Sequence, residues 1–167
     1  DHCNEKSYKV FYGVTTNLTI LTDEMIDYID KYRIHLLVSI DGIKEVHDKN
    51  RSNSFDKVMK NLQKLKDRDL LIYVEARMTV MPEDAVHMYD SVIYLADFGL
   101  DNICPMPVTD VEWSTEQLSS YRAHFYKITE WFIETTNHPD YKRNISSKNI
   151  NDNLINVMSP DVSDDML

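Results

Sequence analysis

The chain has 167 residues, of which 43% are hydrophobic and 28% are charged, an ordinary composition for a globular domain with an apolar core. Its net charge of −10 argues against nucleic acid or an anionic membrane surface as a partner, because both would repel the protein. No apolar run approaches the roughly 18–20 residues of a membrane span, and the first residues lack a signal-peptide pattern. We therefore expect a cytoplasmic protein.

The first half of the chain contains two strand–helix units. A strand is predicted over residues 8–16, and Thr22 follows as the cap of a helix with two carboxylates in its first turn. The pattern returns as a strand over residues 35–41 and a helix over residues 54–67, whose apolar side chains recur at helical spacing. The two units predict a β-α-β-α start.

The pattern continues with a third strand, over residues 70–80. Pro82 follows at the first position of a helix that Gly99 ends as a C-cap. A fourth strand is predicted over residues 102–108. Strands that alternate with helices pair in parallel through right-handed crossovers, so we expect an α/β fold with about four parallel strands.

The last part of the chain begins with a capping box. Ser114 and Gln117 predict the start of a long helix that ends near residue 134. Polar residues then precede a final amphipathic stretch over residues 147–158. Residues 1–134 are therefore predicted to form the α/β domain, and residues 135–167 a polar linker with a C-terminal helical segment.

The third strand distinguishes a barrel from an open sheet. Glu75 and Arg77 alternate with apolar residues and so lie on one face of the strand. A central strand of an open sheet is covered by helices on both faces, where unpaired charges would cost several kcal/mol. A barrel lumen is wet toward its C-terminal mouth, which favours a partial TIM-like barrel.

Polar side chains collect at the C-terminal ends of three predicted strands. Taken singly they have modest explanations, such as an Asp-Gly turn, a surface histidine or a snorkelling arginine. Together they offer the planar guanidinium of Arg77 for a carboxylate, the small hydroxyl of Ser39, and the Asp41 carboxylate as an acceptor for hydroxyls or an ammonium. This set suits an amino acid that carries a ribose. The positions expected to face the lumen are Thr16, Ser39, Asp41, Glu75, Arg77 and Thr79.

Four stretches of the sequence resemble a known family. TTNLTILTDEMIDYI, LLVSIDGIKEVHDKNR, SFDKVMKNLQKL and VEARMTVMPED look like the central part of radical SAM enzymes of the SPASM and peptide- or sulfatase-maturing type. The resemblance covers about residues 8–108 and implies a (β/α)6 partial barrel, of which this chain holds strands three to six. It departs from the family at Leu18, where a glycine is usual.

The resemblance implies roles for the polar residues. Ser39 and Arg77 would lie at the amino-acid end of S-adenosylmethionine (SAM). The full set implied around SAM is Asn17, Ser39, Asp41 and Arg77. The loop after the fourth barrel strand, ordering the mouth or meeting substrate, would contain His47, Asp48 and Arg51.

The resemblance also implies a [4Fe–4S] cluster that reduces SAM, and a radical that abstracts hydrogen from a peptide or protein substrate. Cys3 and Cys104 are only two thiols, far apart, so the cluster ligands are expected outside this chain, which is then inactive alone. No metal site is expected within the chain. Cys104 is predicted to be a small buried apolar residue.

Two other functions stay open from the sequence. One is a redox-silent α/β binding or interaction module, in which Ser39, Asp41 and Arg77 form a structural polar network. The other is a TIM-type lyase or aldolase, which would need a lumen lysine or a metal set. A barrel fragment would also expose the edge of its first strand, so we expect the isolated piece to dimerise through that edge, to aggregate, or to cover the edge with its own tail.

Overall fold

The computed structural model describes residues 10–138, and there four parallel strands lie side by side in sequence order. The strands are β1 (Gly13–Thr16), β2 (His35–Ser39), β3 (Val74–Val80) and β4 (Asn102–Pro107). The helices are α1 (Asp23–Tyr32), α2 (Lys44–Asn50), α3 (Phe55–Lys66), α4 (Met88–Phe98) and α5 (Thr115–Asn137). Two short 3-10 helices span Leu71–Tyr73 and Pro82–His87. The α/β fold with four parallel strands is confirmed.

Two of the predicted helix starts are confirmed by their caps. The Thr22 hydroxyl accepts the Met25 N–H at 3.2 Å and begins α1. Ser114 accepts the Gln117 N–H, and the Gln117 side chain accepts the Ser114 N–H at 2.8 Å. These bonds satisfy N–H groups that a helix start otherwise leaves without partners.

The structure differs from the prediction at three helices. Helix α2 was not predicted, because its seven residues begin after Ile43 with no side-chain cap. Pro82 begins a 3-10 turn, and the α-helix starts only at Met88. Helix α5 continues past residue 134 to Asn137. The amphipathic stretch over residues 147–158 lies outside the described residues.

Strand β3 has one apolar and one polar face, as its alternation predicts. Its apolar side chains are buried, whereas Glu75, Arg77 and Thr79 are half-buried. The apolar face packs on the helices in a single core, and each fully buried aliphatic side chain there contributes about 1.5–3 kcal/mol. The core around this strand includes Val38, Ile40, Val58, Leu62, Val74, Ala76, Met78, Val92 and Leu95.

The predicted orientation of Thr16 is wrong. Thr16 pairs with Val38, and Thr15 pairs with Leu37. Parallel partners share a face of the sheet, so Thr16 lies on the helix-covered face and Thr15 on the polar face. Two consecutive threonines suit either phase of the alternation, and only the pairing with β2 decides between them.

Within the described residues, β1 is an edge strand that pairs with β2 alone. Beside it lies a groove of about 370 Å³, lined mainly by apolar side chains from β1, the loop that follows it, α1 and the start of β2. Phe11, just before the strand, is 84% exposed, and Val14 and Ile20 are also exposed. Dimerisation through this edge stays a prediction.

Strands β2 and β3 are joined beyond their last residue pair by a side chain. Their ladder ends at Ser39 and Arg77, after which β2 turns away. Asp41 Oδ1 then accepts the Thr79 N–H at 2.9 Å, in the place of a main-chain carbonyl. Arg51 donates to both Asp41 oxygens, at 2.6 and 2.8 Å, and to the Thr79 hydroxyl at 3.2 Å. We call Asp41, Arg51 and Thr79 the strand-end link.

The turn after Asp41 fits closely against α4. Gly42 has φ +97, in the region that disfavours side chains, and a Cβ built there would lie 2.0 Å from Ser91 Cβ. The Ser91 hydroxyl accepts the Ile43 N–H at 3.3 Å. The turn therefore needs glycine for both its conformation and its space.

Gly42→Ala is expected to destabilise the protein by about 3 kcal/mol or more, because it adds backbone strain to a steric clash. The measurement is chemical denaturation. Gly13→Ala is the matched control, since the nearest atoms to its Cβ are 3.9 Å away. Ser91→Gly in the Gly42→Ala background should recover part of the loss by removing the clashing carbon. Equal effects of the two single variants would contradict this account of the turn.

Arg51→Met is expected to cost about 3 kcal/mol or more in unfolding free energy, because it leaves the Asp41 carboxylate buried without its cation. The Asp41 side chain is only 1% exposed. Arg68 pairs with Asp27 where both side chains are more than half exposed, so Arg68→Met should cost less than about 1 kcal/mol. Denaturant unfolding of the two variants compares them directly, and similar losses would show that the strand-end link is not a buried ion pair of this kind.

Candidate functional site

The polar face of the sheet carries the candidate site at the C-terminal ends of β2 and β3. Ser39 and Arg77 are register partners in adjacent strands, so their side chains start from neighbouring points on this face. Leu37 and Glu75 form the preceding pair on the same face. The arrangement places a hydroxyl, a guanidinium and a carboxylate together.

Arg77 has weak partners in the described part of the chain. Its Nη1 donates to Glu75 Oε1 at 3.0 Å, and its Nη2 contacts Met106 Sδ at 3.4 Å. The Arg77 and Glu75 side chains are 33% and 34% exposed, so water weakens their attraction. The guanidinium can therefore take an additional acceptor without leaving a buried charge unpaired.

Asn17 lies in the loop that follows β1. Its Oδ1 accepts the Thr19 N–H at 3.2 Å and the Thr19 hydroxyl at 3.0 Å. Leu18 has φ 51, the left-handed conformation that a glycine would take easily. Its side chain is buried in the core, and Asn61 donates to its carbonyl at 2.9 Å. Core packing thus holds a turn that the family resemblance assigns to glycine.

Asp41 does not present a free carboxylate. Arg51 and the Thr79 N–H bind its two oxygens, and the Asp41 N–H points to the His47 ring. Its position next to Ser39 and Arg77 agrees with the sequence-based grouping. Its hydrogen bonds indicate that it orders the ends of the strands.

His47 lies on α2 and is fully buried. Its Nδ1 is 3.3 Å from the Asp41 nitrogen, and its Nε2 is 3.0 Å from the Ser54 hydroxyl. Burial lowers the pKa of His47 below its ordinary value, and Asp41 opposes that shift. The ring is therefore neutral at pH 7.

Asp48 joins α2 to the next helix. Its Oδ1 accepts the Phe55 N–H at 2.9 Å, and its Oδ2 pairs with Lys44 at 2.9 Å. The hydrogen bonds from Lys44 and from the Phe55 N–H lower the pKa of Asp48. Asp48 thus supplies an oxygen to the start of α3, where the Ser54 side chain makes no capping bond.

Two serines of this region were missed by the sequence reasoning. Ser54 stands where an N-cap is expected, but its hydroxyl lies between His47 and the Arg51 carbonyl. Ser91 lies inside α4 and receives the Ile43 N–H. A serine directly before a helix suggests a cap, and the sequence holds no signal that would have assigned Ser54 to His47 instead.

The described residues show neither a metal-binding cluster nor a membrane-spanning helix. Residues 10–138 contain no group of three or more His, Cys, Asp or Glu side chains that could hold a metal ion. None of the helices in this range is long and apolar enough to cross a membrane. Cys104 is buried, as predicted, and pairs in register with Arg77.

Solved structures with the same fold confirm the predicted partial barrel. The structure described as native anSMEcpe with bound AdoMet superimposes with a TM-score of 0.75 at 16% identity, over 93% of this chain and 44% of that one. Native anSMEcpe with bound AdoMet and Cp18Cys peptide gives 0.73 at 17% identity, over 96% and 46%. This chain therefore spans less than half the length of those proteins.

Sequence comparisons identify the family. A cysteine-type anaerobic sulfatase-maturating enzyme of Clostridium novyi (strain NT) is 33% identical over 65 residues, which are 36% of this chain and 17% of that protein. The pattern of the Radical SAM superfamily matches residues 2–93, more than half of the 167 residues. The chain belongs to the radical SAM superfamily.

Proposed function

We propose that the protein containing this chain cleaves SAM reductively and abstracts hydrogen from a peptide or protein. The main support is the register pair of Ser39 and Arg77, which places a solvent-accessible guanidinium beside a hydroxyl at the C-terminal end of the strands. Barrel enzymes assemble their sites at this end. Membership in the radical SAM superfamily supports the same reaction.

The chemistry of these side chains fits the amino-acid end of SAM. Arg77 offers a planar fork for the carboxylate, and Ser39 can donate to it. Glu75, 3.0 Å from Arg77, offers an acceptor for the ammonium group. A zwitterion needs one cation and one anion in adjacent positions, and the polar face holds such a pair.

The other candidate residues act around this pair. Asn17, which directly follows β1, would lie next to the cofactor. Asp41 contributes through the strand-end link, because both of its oxygens are bound by protein groups. His47, Asp48 and Arg51 order the mouth through α2, since each has partners within the protein.

A [4Fe–4S] cluster, when bound, supplies the electron that cleaves SAM. Cys3 and Cys104 are the two cysteines of the sequence, so we propose that the cluster ligands belong to sequence outside these 167 residues. A closed barrel around the site would exclude water and stray hydrogen donors from the radical. The polar face described above would then line its interior.

The substrate class is inferred from relatives. The curated relative is named as a sulfatase-maturating enzyme, and solved structures of similar fold hold the Cp18Cys and Kp18Cys peptides. On that basis we propose that the protein containing this chain also acts on a peptide or protein. A SPASM-type architecture is proposed from the sequence motifs. A cytoplasmic location and the lack of a nucleic-acid partner accompany this proposal, the latter supported by the net charge of −10.

One observation favours the alternative of a binding module without redox chemistry. Asp41, His47 and Arg51 all bind one another or nearby main-chain groups, as a purely structural network would. In that function Arg77 would serve only to pair Glu75. The two functions make opposite predictions for Arg77.

The reaction is tested by incubating the cluster-loaded protein that contains this chain with SAM and dithionite. We expect 5′-deoxyadenosine and methionine in equal amounts, measured by liquid chromatography and mass spectrometry. Omitting dithionite is the control and should abolish both products. A protein with a full cluster that yields neither product under reduction would contradict the proposed function.

Arg77→Lys is expected to weaken SAM binding about ten- to a hundredfold, because lysine keeps the charge but loses the bidentate fork, a loss of roughly 1.5–3 kcal/mol. Calorimetric titration measures the affinity, and thermal melting of the same variant measures stability, which should change little. Arg68→Lys, at an exposed ion pair, is the matched control. Unchanged SAM affinity with a large fall in melting temperature would favour the structural network.

A further inference from the structure

The loop between β2 and α3 is closed by a ring of hydrogen bonds through four residues. The Asp41 N–H donates to His47 Nδ1, and His47 Nε2 contacts the Ser54 hydroxyl. Ser54 donates to the Arg51 carbonyl at 2.7 Å, and the Arg51 side chain returns to the Asp41 carboxylate. We call Asp41, His47, Ser54 and Arg51 the loop ring.

The loop ring fixes the tautomer of His47. A main-chain N–H can only donate, so Nδ1 must be an acceptor without a proton. Nε2 then carries the proton and donates a hydrogen bond to the Ser54 hydroxyl, which in turn donates a hydrogen bond to the Arg51 carbonyl. Every bond of the ring has one donor and one acceptor only while His47 is neutral.

The loop ring acts directly on the ends of the strands. It holds the Asp41 main chain through His47 and the Asp41 side chain through Arg51. The same carboxylate binds the Thr79 N–H and so sets the spacing of β2 and β3 beyond their last pair. That last pair is Ser39 and Arg77, the proposed contacts of SAM.

We propose that His47 is a positioning residue, which in its neutral form holds the ends of β2 and β3 at the spacing that binds SAM. The proposal rests on the proposed function for its ligand. The claim that His47 controls the Thr79 main chain through Asp41 does not depend on SAM and follows from the hydrogen bonds of the loop ring. The hydrogen bonds of His47 go to the Asp41 N–H and the Ser54 hydroxyl, so its effect on Ser39 and Arg77 passes through the ring.

Protonation of His47 breaks the ring, because the imidazolium has no acceptor for the Asp41 N–H. The charged groups that act on His47 are Asp41 and Asp48, which favour the proton, and Arg51 and Lys44, which oppose it. At the start of α3, two uncharged groups contact His47: the hydroxyl of Ser54, the residue before the helix, and the ring of Phe55, whose centroid lies 5.8 Å from that of the imidazole. Burial outweighs these charges and favours the neutral ring.

The direction of the pH effect follows from the lowered pKa of His47. The folded state binds the proton less well than the unfolded chain does, so the stabilisation is fully present above the ordinary pKa of about 6.5. It is lost as the pH falls from there through the lower pKa of the folded state. The positioning of the strands is therefore expected to loosen in mild acid.

The test compares His47→Leu, which removes the acceptor, with His47→Asn, whose side-chain oxygen can replace Nδ1 but does not titrate. The readout is hydrogen exchange of the Thr79 amide in the protein that contains this chain. At pH 7.5, His47→Leu should exchange roughly tenfold faster than wild type or more, and His47→Asn at nearly the wild-type rate. His87→Asn, at an exposed histidine, should change nothing.

The second comparison lowers the pH stepwise from 7.5 to well below the ordinary histidine pKa of about 6.5, because the pKa of the buried His47 ring is lower still. After correction for intrinsic exchange, Thr79 protection should fall in wild type but not in His47→Asn, and SAM affinity should follow the same pattern. Equal pH dependence of Thr79 exchange in both proteins, or an unchanged Thr79 amide in folded His47→Leu, would overturn the proposal. Should His47→Leu fail to fold, the Asn comparison decides alone.

The readouts also separate this inference from the proposed function. A wild-type protein that binds no SAM would refute the proposed function, whereas Thr79 exchange would still decide whether His47 controls the strand ends. Normal SAM binding whose pH profile is the same in wild type and His47→Asn would refute the positioning role alone.

Discussion

The Asp41 carboxylate is the group on which the C-terminal side of the sheet depends. Ser39 and Arg77 are the last register pair of β2 and β3, and the Ile40 N–H still donates to the Arg77 carbonyl at 3.2 Å before the chain leaves the sheet to begin α2. A side-chain oxygen then takes the place of the missing carbonyl and keeps the Thr79 N–H bonded. Because this oxygen belongs to a buried anion, the structure must also supply a cation, and Arg51 does so with two bonds.

The remaining features of the site follow from that requirement. Arg51 directly follows α2, so the position of α2 decides whether Arg51 can reach Asp41. His47 ties α2 to the Asp41 main chain, Asp48 ties it to the start of α3, and Gly42 lets the preceding turn pack against Ser91. The polar face of β3 can then hold Arg77 in a partly solvated place, away from the apolar face that forms the core. One strand thus contributes to the core on one face and carries the candidate site on the other.

The sequence was sufficient for the fold because its signals are local and repeated. Alternation in β3 and the caps at Thr22 and Ser114 predicted elements that the structure contains. The grouping of Ser39 and Arg77 followed from the shared end of parallel strands. These properties depend on residue spacing alone, which a sequence displays directly.

The sequence predictions that were wrong or missing concern features that residue spacing does not show. Thr16 was assigned to the wrong face because both phases of a Thr-Thr pair are plausible until β2 sets the register. Helix α2 is short and lacks a side-chain cap, so its residues read as a loop. No role was assigned to Ser54 from the sequence, because its contact with His47 depends on how α2 lies against the start of α3. Contacts between different elements, which spacing within one element does not show, decide the first and the last of these features.

The loop ring has a consequence for the order in which the protein folds. All of its bonds close between residues 41 and 54, so the chain gives up little loop-closure entropy to form them. Contacts of such short sequence separation form faster than the pairing of β2 with β3, which must bring together residues more than thirty positions apart. The turn beside the candidate site can therefore form first, so that the Asp41 carboxylate is already in position to accept the Thr79 N–H when β3 arrives.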